Sequence, residues 1–100
     1  MEGIINWIAN WFASHCDGDW EHENILRIEA TSNPGWFITI GLSDTDMENV
    51  EFNMNTIESS ENDWYFYKVH NGEFTAAGDL NKLPFLLGKF RELVESNVKH

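Results

Sequence analysis

The sequence predicts an α+β fold: an antiparallel meander sheet of four to five strands, with an N-terminal and a C-terminal helix packed on one face. Three observations carry that expectation. Apolar residues recur at three- and four-residue spacing only near the two ends of the chain. Between those ends, short runs alternate apolar and polar residues, as half-buried strands do. Turn-forming residues rather than helix-length connections join the runs. With 100 residues, 42% of them apolar, residues 1–100 are expected to form a single domain around one core.

In chain order, Ile4, Ile5, Trp7, Ile8, Trp11 and Phe12 form the apolar stripe of a helix running to about Ser14, with Asn6 and Asn10 on its other side. Asp17-Gly18 ends it with a turn signal. Ile25 to Thr31 alternates, Leu26, Ile28 and Ala30 against Arg27, Glu29 and Thr31, as a first strand. Ser32-Asn33-Pro34-Gly35 suggests a type II turn, and Trp36 to Leu42 a second strand that completes a hairpin. Val50, Phe52 and Met54, alternating with Glu51, Asn53 and Asn55, suggest a third strand. Trp64 to Val69 suggests a fourth, and Asn71-Gly72 the tight type I′ turn into a short fifth strand, Glu73 to Ala76. After Gly78-Asp79, the residues Leu83, Leu86, Leu87, Phe90, Leu93 and Val94 form a second helical stripe. Asp79 or Asn81 is the expected cap, and Pro84 is confined to the first turn.

Charge bounds the function. Seventeen Asp and Glu face six Lys and Arg, for a formal net charge of -11. Such a field repels nucleic acid and anionic membranes and steers cationic partners. Trp64, Tyr65 and Tyr67 could stack bases on a sheet face, but only Lys68 stands beside them, so nucleic-acid binding is not expected. A lone cysteine, Cys16, excludes an internal disulfide framework. The acidic Glu2 and the interruptions at Asn6 and Asn10 argue against a secretory leader, and no run approaches membrane-spanning length. The expectation is a soluble, cytoplasmic protein.

The block Cys16-Asp17-Gly18-Asp19-Trp20-Glu21-His22 concentrates the residue types that catalytic and metal sites use. Acids at 17, 19, 21 and 23 resemble a calcium loop, but the sixth and twelfth places hold His22 and Ile28 where Gly and Glu belong. His15, Cys16 and His22 lack the paired spacing of a zinc site. No Gly-rich phosphate loop is present, and adjacency alone does not make His15 the base of Cys16. Neither an enzyme, a metal nor a cofactor is therefore expected. The alternatives are a small metal-dependent enzyme built on Asp17–His22, or a ligand-binding adaptor using the aromatic sheet face at Tyr65 and Tyr67.

A protein-binding surface fits better. Acids cluster in three loops, Asp17-Asp19-Glu21-Glu23, Asp44-Asp46-Glu48 and Glu58-Glu61-Asp63, and a tryptophan follows an aspartate in two of them. Acids around an aromatic anchor suit a steered interface. In a simple meander the Asp17 and Glu61 loops would converge at one end of the sheet. The expected partner-binding residues are Asp17, Asp19, Trp20, Glu21, His22, Glu61, Asn62, Asp63 and Trp64. The competing reading makes Trp20 and Trp64 core residues and the acids merely solvated.

The same residues carry a family resemblance. Ile8-Ala9-Asn10-Trp11-Phe12 followed by the Cys16–His22 block, Asn33-Pro34-Gly35-Trp36, Ser60-Glu61-Asn62-Asp63-Trp64, and the later Asn71–Phe74 and Gly78-Asp79 segments resemble the bacterial immunity protein 53 family over almost the whole chain. That resemblance implies a small cytoplasmic antidote, encoded beside a toxin of a polymorphic or contact-dependent inhibition system, that binds the toxin domain. The charge suits a basic toxin such as a nuclease. Gly18, Pro34, Gly35 and Trp36 are better explained by turns and core than by binding.

Overall fold

The computed structural model describes residues 3–97. Helix α1 (Ile4–His15) leads into a one-turn helix α2 (Trp20–Glu23), then strands β1 (Leu26–Thr31), β2 (Gly35–Gly41), β3 (Ile57–Ser60), β4 (Asp63–His70) and β5 (Glu73–Gly78), and finally helix α3 (Leu83–Ser96). All neighbouring strands are antiparallel, in the spatial order β1-β2-β5-β4-β3. The expected α+β meander is thus present as two arms, β1–β2 and β3–β4–β5. The chain crosses from β2 to the far edge before returning, which leaves β5 in the centre.

Centrality explains why β5 runs to Gly78 and not only to Ala76. Ala77 and Gly78 favour strands little on their own, but both β2 and β4 hydrogen-bond along them. The third strand is a correction. Only Phe52 joins the sheet within 50–55, exchanging two backbone hydrogen bonds with Val69 (3.0 and 2.8 Å), and the true β3 lies at 57–60. Val50 and Phe52 do pack on the core, so their alternation recorded burial; Asn53 and Asn55, poor strand formers, leave the ladder.

The core lies between one sheet face and the helices. Ile38, Ile40, Phe74 and Ala76 point from the central strands toward Ile8 of α1 and Leu86, Leu87 and Phe90 of α3. Phe90 meets Phe74 at 5.0 Å and Trp11 at 5.0 Å between ring centroids, tying both helices to the sheet. Tyr65 and Tyr67 share this covered face: Tyr65 packs edge-on against Phe85, and Tyr67 stacks on Phe52. The aromatic face proposed for an adaptor is therefore not the open one. The open face carries Arg27, Glu29, Phe37, Thr39, Trp64, Phe66, Lys68, Thr75 and Ala77, by the register of the ladder.

Two turns clarify the backbone logic. Asn71 and Gly72 adopt φ of 51° and 72°, as a type I′ hairpin demands. The type II turn at Pro34-Gly35 is absent, because Gly35 has no positive φ and already begins β2. Glycine is needed there for proximity: a Cβ would sit 2.6 Å from the Gly78 carbonyl oxygen and 3.3 Å from Trp64 Cζ2. The α3 cap also differs from expectation. Lys82 stands at the N-cap without a side-chain cap bond, and Asp79 closes the turn before it. Among the described residues, no helix is long and apolar enough to cross a membrane.

Candidate functional site

The Asp17–His22 block is largely spent on its own geometry. Asp17 Oδ1 accepts the backbone N–H of Asp19 (2.9 Å) and Trp20 (2.8 Å), which starts α2. Glu21 reaches back to accept N–H bonds from Asp17 (3.0 Å) and Gly18 (3.0 Å to Oε2). This reciprocal arrangement satisfies the donors that a helix start exposes. The N–H of Trp20, then of Asp19, holds the Asp17 carboxyl below its ordinary pKa. Glu21 is also lowered, first by its own backbone N–H and further by those of Asp17 and Gly18.

Trp20 is only 6% exposed, so its indole has little surface to offer a partner. Its Nε1–H donates to the Ser43 carbonyl (2.6 Å), and its ring contacts Trp11, Phe12 and His15. Asn24, 3% exposed, completes the clamp, donating to Trp20 O and accepting from Ser43 N–H (both 3.1 Å). Asp19, His22 and Glu23 remain exposed. Cys16 is exposed too, but desolvation and then the Glu21 and Asp17 carboxylates push its thiol up, away from the thiolate a nucleophile needs. Among the described residues, no group of three or more His, Cys, Asp or Glu could hold a metal ion.

Docking of residue 43 on α2 brings the Asp44-Asp46-Glu48 cluster to the same end as Asp17–Glu23. The Asn71-Gly72 hairpin joins them, since Leu42 N–H bonds Gly72 O (2.8 Å). There Glu51 meets His70 at 2.8 Å, a contact that lowers the Glu51 pKa. The Glu61 loop does not converge on this end, contrary to the simple-meander expectation. β2 begins beside it at Gly35 and ends at Gly41 beside α2 and residue 43, a span of roughly 20 Å for seven residues. The cause is the strand order: placing β5 next to β2 sets the β3–β4 turn beside the β1–β2 turn.

That second end holds an open groove of about 460 Å³, lined by Asn33, Pro34, Glu58, Glu61, Asn62 and Trp64. Two separate motif segments, Asn33-Pro34 and Glu61–Trp64, therefore meet across it. Glu58 is the cross-strand partner of Trp64, a relation visible only once β3 is placed at 57–60. Asp63 lies beside the groove but is tied to Lys82 Nζ (2.7 Å), which also binds Asp79 (2.7 Å). Asp79 is 3% exposed and takes N–H bonds from Trp64 (2.9 Å) and Asn81 (2.8 Å). Burial would raise its pKa, but the Lys82 ammonium and these N–H bonds together hold it below the ordinary value. Sequence reasoning missed Asp79 as the organiser of this end. Its signal was an aspartate three residues before a lysine at a strand-to-helix junction.

The family model described as immunity protein 53 matches residues 5–95. No curated protein and no solved structure matches the chain.

Proposed function

The chain belongs to the immunity protein 53 family, and from that premise we propose that it is a non-enzymatic, stoichiometric antidote that binds and neutralises a cognate toxin domain. Residues 1–100 act as one domain in the cytoplasm of the producing cell, and the toxin surface it meets is cationic, as on a nuclease. Family membership supports the antidote role, and the distribution of charge supports the kind of partner. Of the five described Lys and Arg side chains, Lys82, Lys89 and Arg91 are already in ion pairs within the chain. The net charge is -11 with every Lys and Arg already counted, so uncompensated carboxylates outnumber cations across the chain. The resulting field accelerates encounter with a basic protein and repels anionic polymers and membranes.

In this reading Asp19, His22, Glu61, Asn62 and Trp64 face the partner, Asp17, Trp20 and Glu21 hold the α2 loop, and Asp63 serves Lys82. The metal-dependent enzyme loses its support, because the Asp17 and Glu21 carboxylates are occupied by backbone N–H groups. An adaptor on Tyr65 and Tyr67 loses its open surface to α3. The test is growth of bacteria expressing the C-terminal domain of the neighbouring reading frame, with and without this protein. Rescue by the intact chain is expected; toxicity that persists at equal expression would overturn the proposal.

A further inference from the structure

We propose that the groove over Trp64 is an anchor pocket for an arginine side chain projected by the toxin, an inference that rests on the antidote reading and specifies where its strongest contact forms. The sheet face opposite the helices carries its own aromatic row. Phe37, Ala77 and Phe66 sit in one cross-strand row, and Trp64 stands in the next. All three aromatic side chains are only half-buried, on the face opposite the helices. Such a row is an interface feature when something of suitable chemistry covers it.

Gly35 shapes the pocket. Because it has no side chain, the benzenoid edge of Trp64 lies across it, with Cζ2 3.3 Å from where a Cβ would be. The indole is thereby held as a wall of the groove. Glu58 projects from the same face, directly across the ladder from Trp64, and Glu61 stands in the adjoining turn. Among the described residues neither makes an ion pair, because the nearby ammonium, Lys82, is held by Asp63 and Asp79. An indole beside two unpaired carboxylates suits a guanidinium, whose plane stacks on the ring while its N–H groups bond carboxylate oxygens. The protein's own surface uses the same pairing elsewhere: Arg91 lies over Trp7 at 5.3 Å, and Lys89 over Phe85 at 5.2 Å.

The occupant is thus a cationic loop carrying an arginine, and the α2 end acts at longer range. The two roles separate kinetically, since a desolvated anchor controls dissociation whereas peripheral charge controls association. The experiment uses the complex with the C-terminal domain of the neighbouring reading frame, followed by surface plasmon resonance. The variants are Glu58→Gln/Glu61→Gln, Trp64→Phe and, at the far end, Asp19→Asn/Asp44→Asn. The glutamate pair is exposed, so its replacement leaves the fold intact. The expected result is dissociation faster by about 10-fold or more for the glutamate pair, with a smaller rise for Trp64→Phe. The far-end pair should slow association and leave dissociation unchanged. Arginine-to-lysine replacements in the toxin should locate one site whose loss is not additive with Glu61→Gln. A complex whose dissociation ignores both groove variants would overturn the pocket and leave the antidote standing. Equal effects from both ends would also overturn it, in favour of diffuse charge. Absence of any complex with the intact chain would overturn the antidote reading and the pocket with it.

Discussion

Replacing Trp20 separates a fold anchor from an interface anchor. A buried tryptophan withdraws about 150–250 Å² from water, a gross contribution of roughly 4–6 kcal/mol at about 25 cal/mol per Å². Trp20 is only 6% exposed and touches Trp11, Phe12 and His15, so nearly all of that applies. Partial relaxation into the cavity brings the net cost of Trp20→Ala to about 3–5 kcal/mol. For a domain of 100 residues that is a fall in Tm of about 12 °C or more. Trp20→Phe keeps most of the packing but leaves the Ser43 carbonyl without its indole donor, at a cost of about 1–2 kcal/mol. Far-UV circular dichroism, as urea and thermal unfolding curves, is the assay, because changing one of five tryptophans alters fluorescence directly. The order wild type, Trp20→Phe, Trp20→Ala is expected. If Trp20→Ala melted within about 2 °C of wild type while toxin binding vanished, the structural role assigned to Trp20 would be wrong.

Gly35→Ala forces a Cβ to 2.6 Å from the Gly78 carbonyl oxygen, and a strained repacking of that kind costs about 1–3 kcal/mol in urea unfolding; an unchanged midpoint would refute the contact. Asp17, Glu21 and Asp79 have depressed folded-state pKa values. Their contribution is therefore complete above the unfolded carboxylate range, about pH 4–5, and is lost as pH falls through the lower folded values. Tm measured downward from pH 7 should hold until about pH 4 and then drop, whereas a Tm still rising at pH 3 would show that relief of acidic repulsion outweighs these bonds. Cys16→Ser should leave both Tm and toxin protection unchanged, since the thiol is exposed and shifted away from reactivity; loss of protection in a growth assay would assign it a role the structure does not.

The legible parts of the fold were those governed by local periodicity. The stripes from Ile4 to Phe12 and from Leu83 to Val94 match α1 and α3, and Asn71-Gly72 turns as its residue types require. What stayed hidden depends on long-range pairing. Nothing local in Val50-Glu51-Phe52-Asn53-Met54-Asn55 says that it touches the sheet only at Phe52, whereas the less apolar Ile57–Ser60 forms the edge strand. β3 is exposed throughout, with Ile57 at 47%, so burial could not imprint a pattern on it. The same strand order sent the Asp17 and Glu61 loops to opposite ends, while it brought Asn33-Pro34 next to Glu61-Asn62. Motif membership likewise concealed a division of labour. Asp17 and Glu21 alternate with Asp19 in sequence, but the first two are tied to backbone N–H groups and the third is exposed.

The capture of a cationic toxin domain by this acidic chain remains a proposal that kinetics can decide. The most direct measurement is the association rate of the purified chain with the C-terminal domain of the neighbouring reading frame, followed by stopped flow across a salt series. A one-to-one complex is predicted, with an association rate that falls at least about 10-fold between 20 mM and 500 mM salt. Tight binding at a rate indifferent to salt would contradict the cationic partner, and no binding at any ionic strength would contradict the antidote itself.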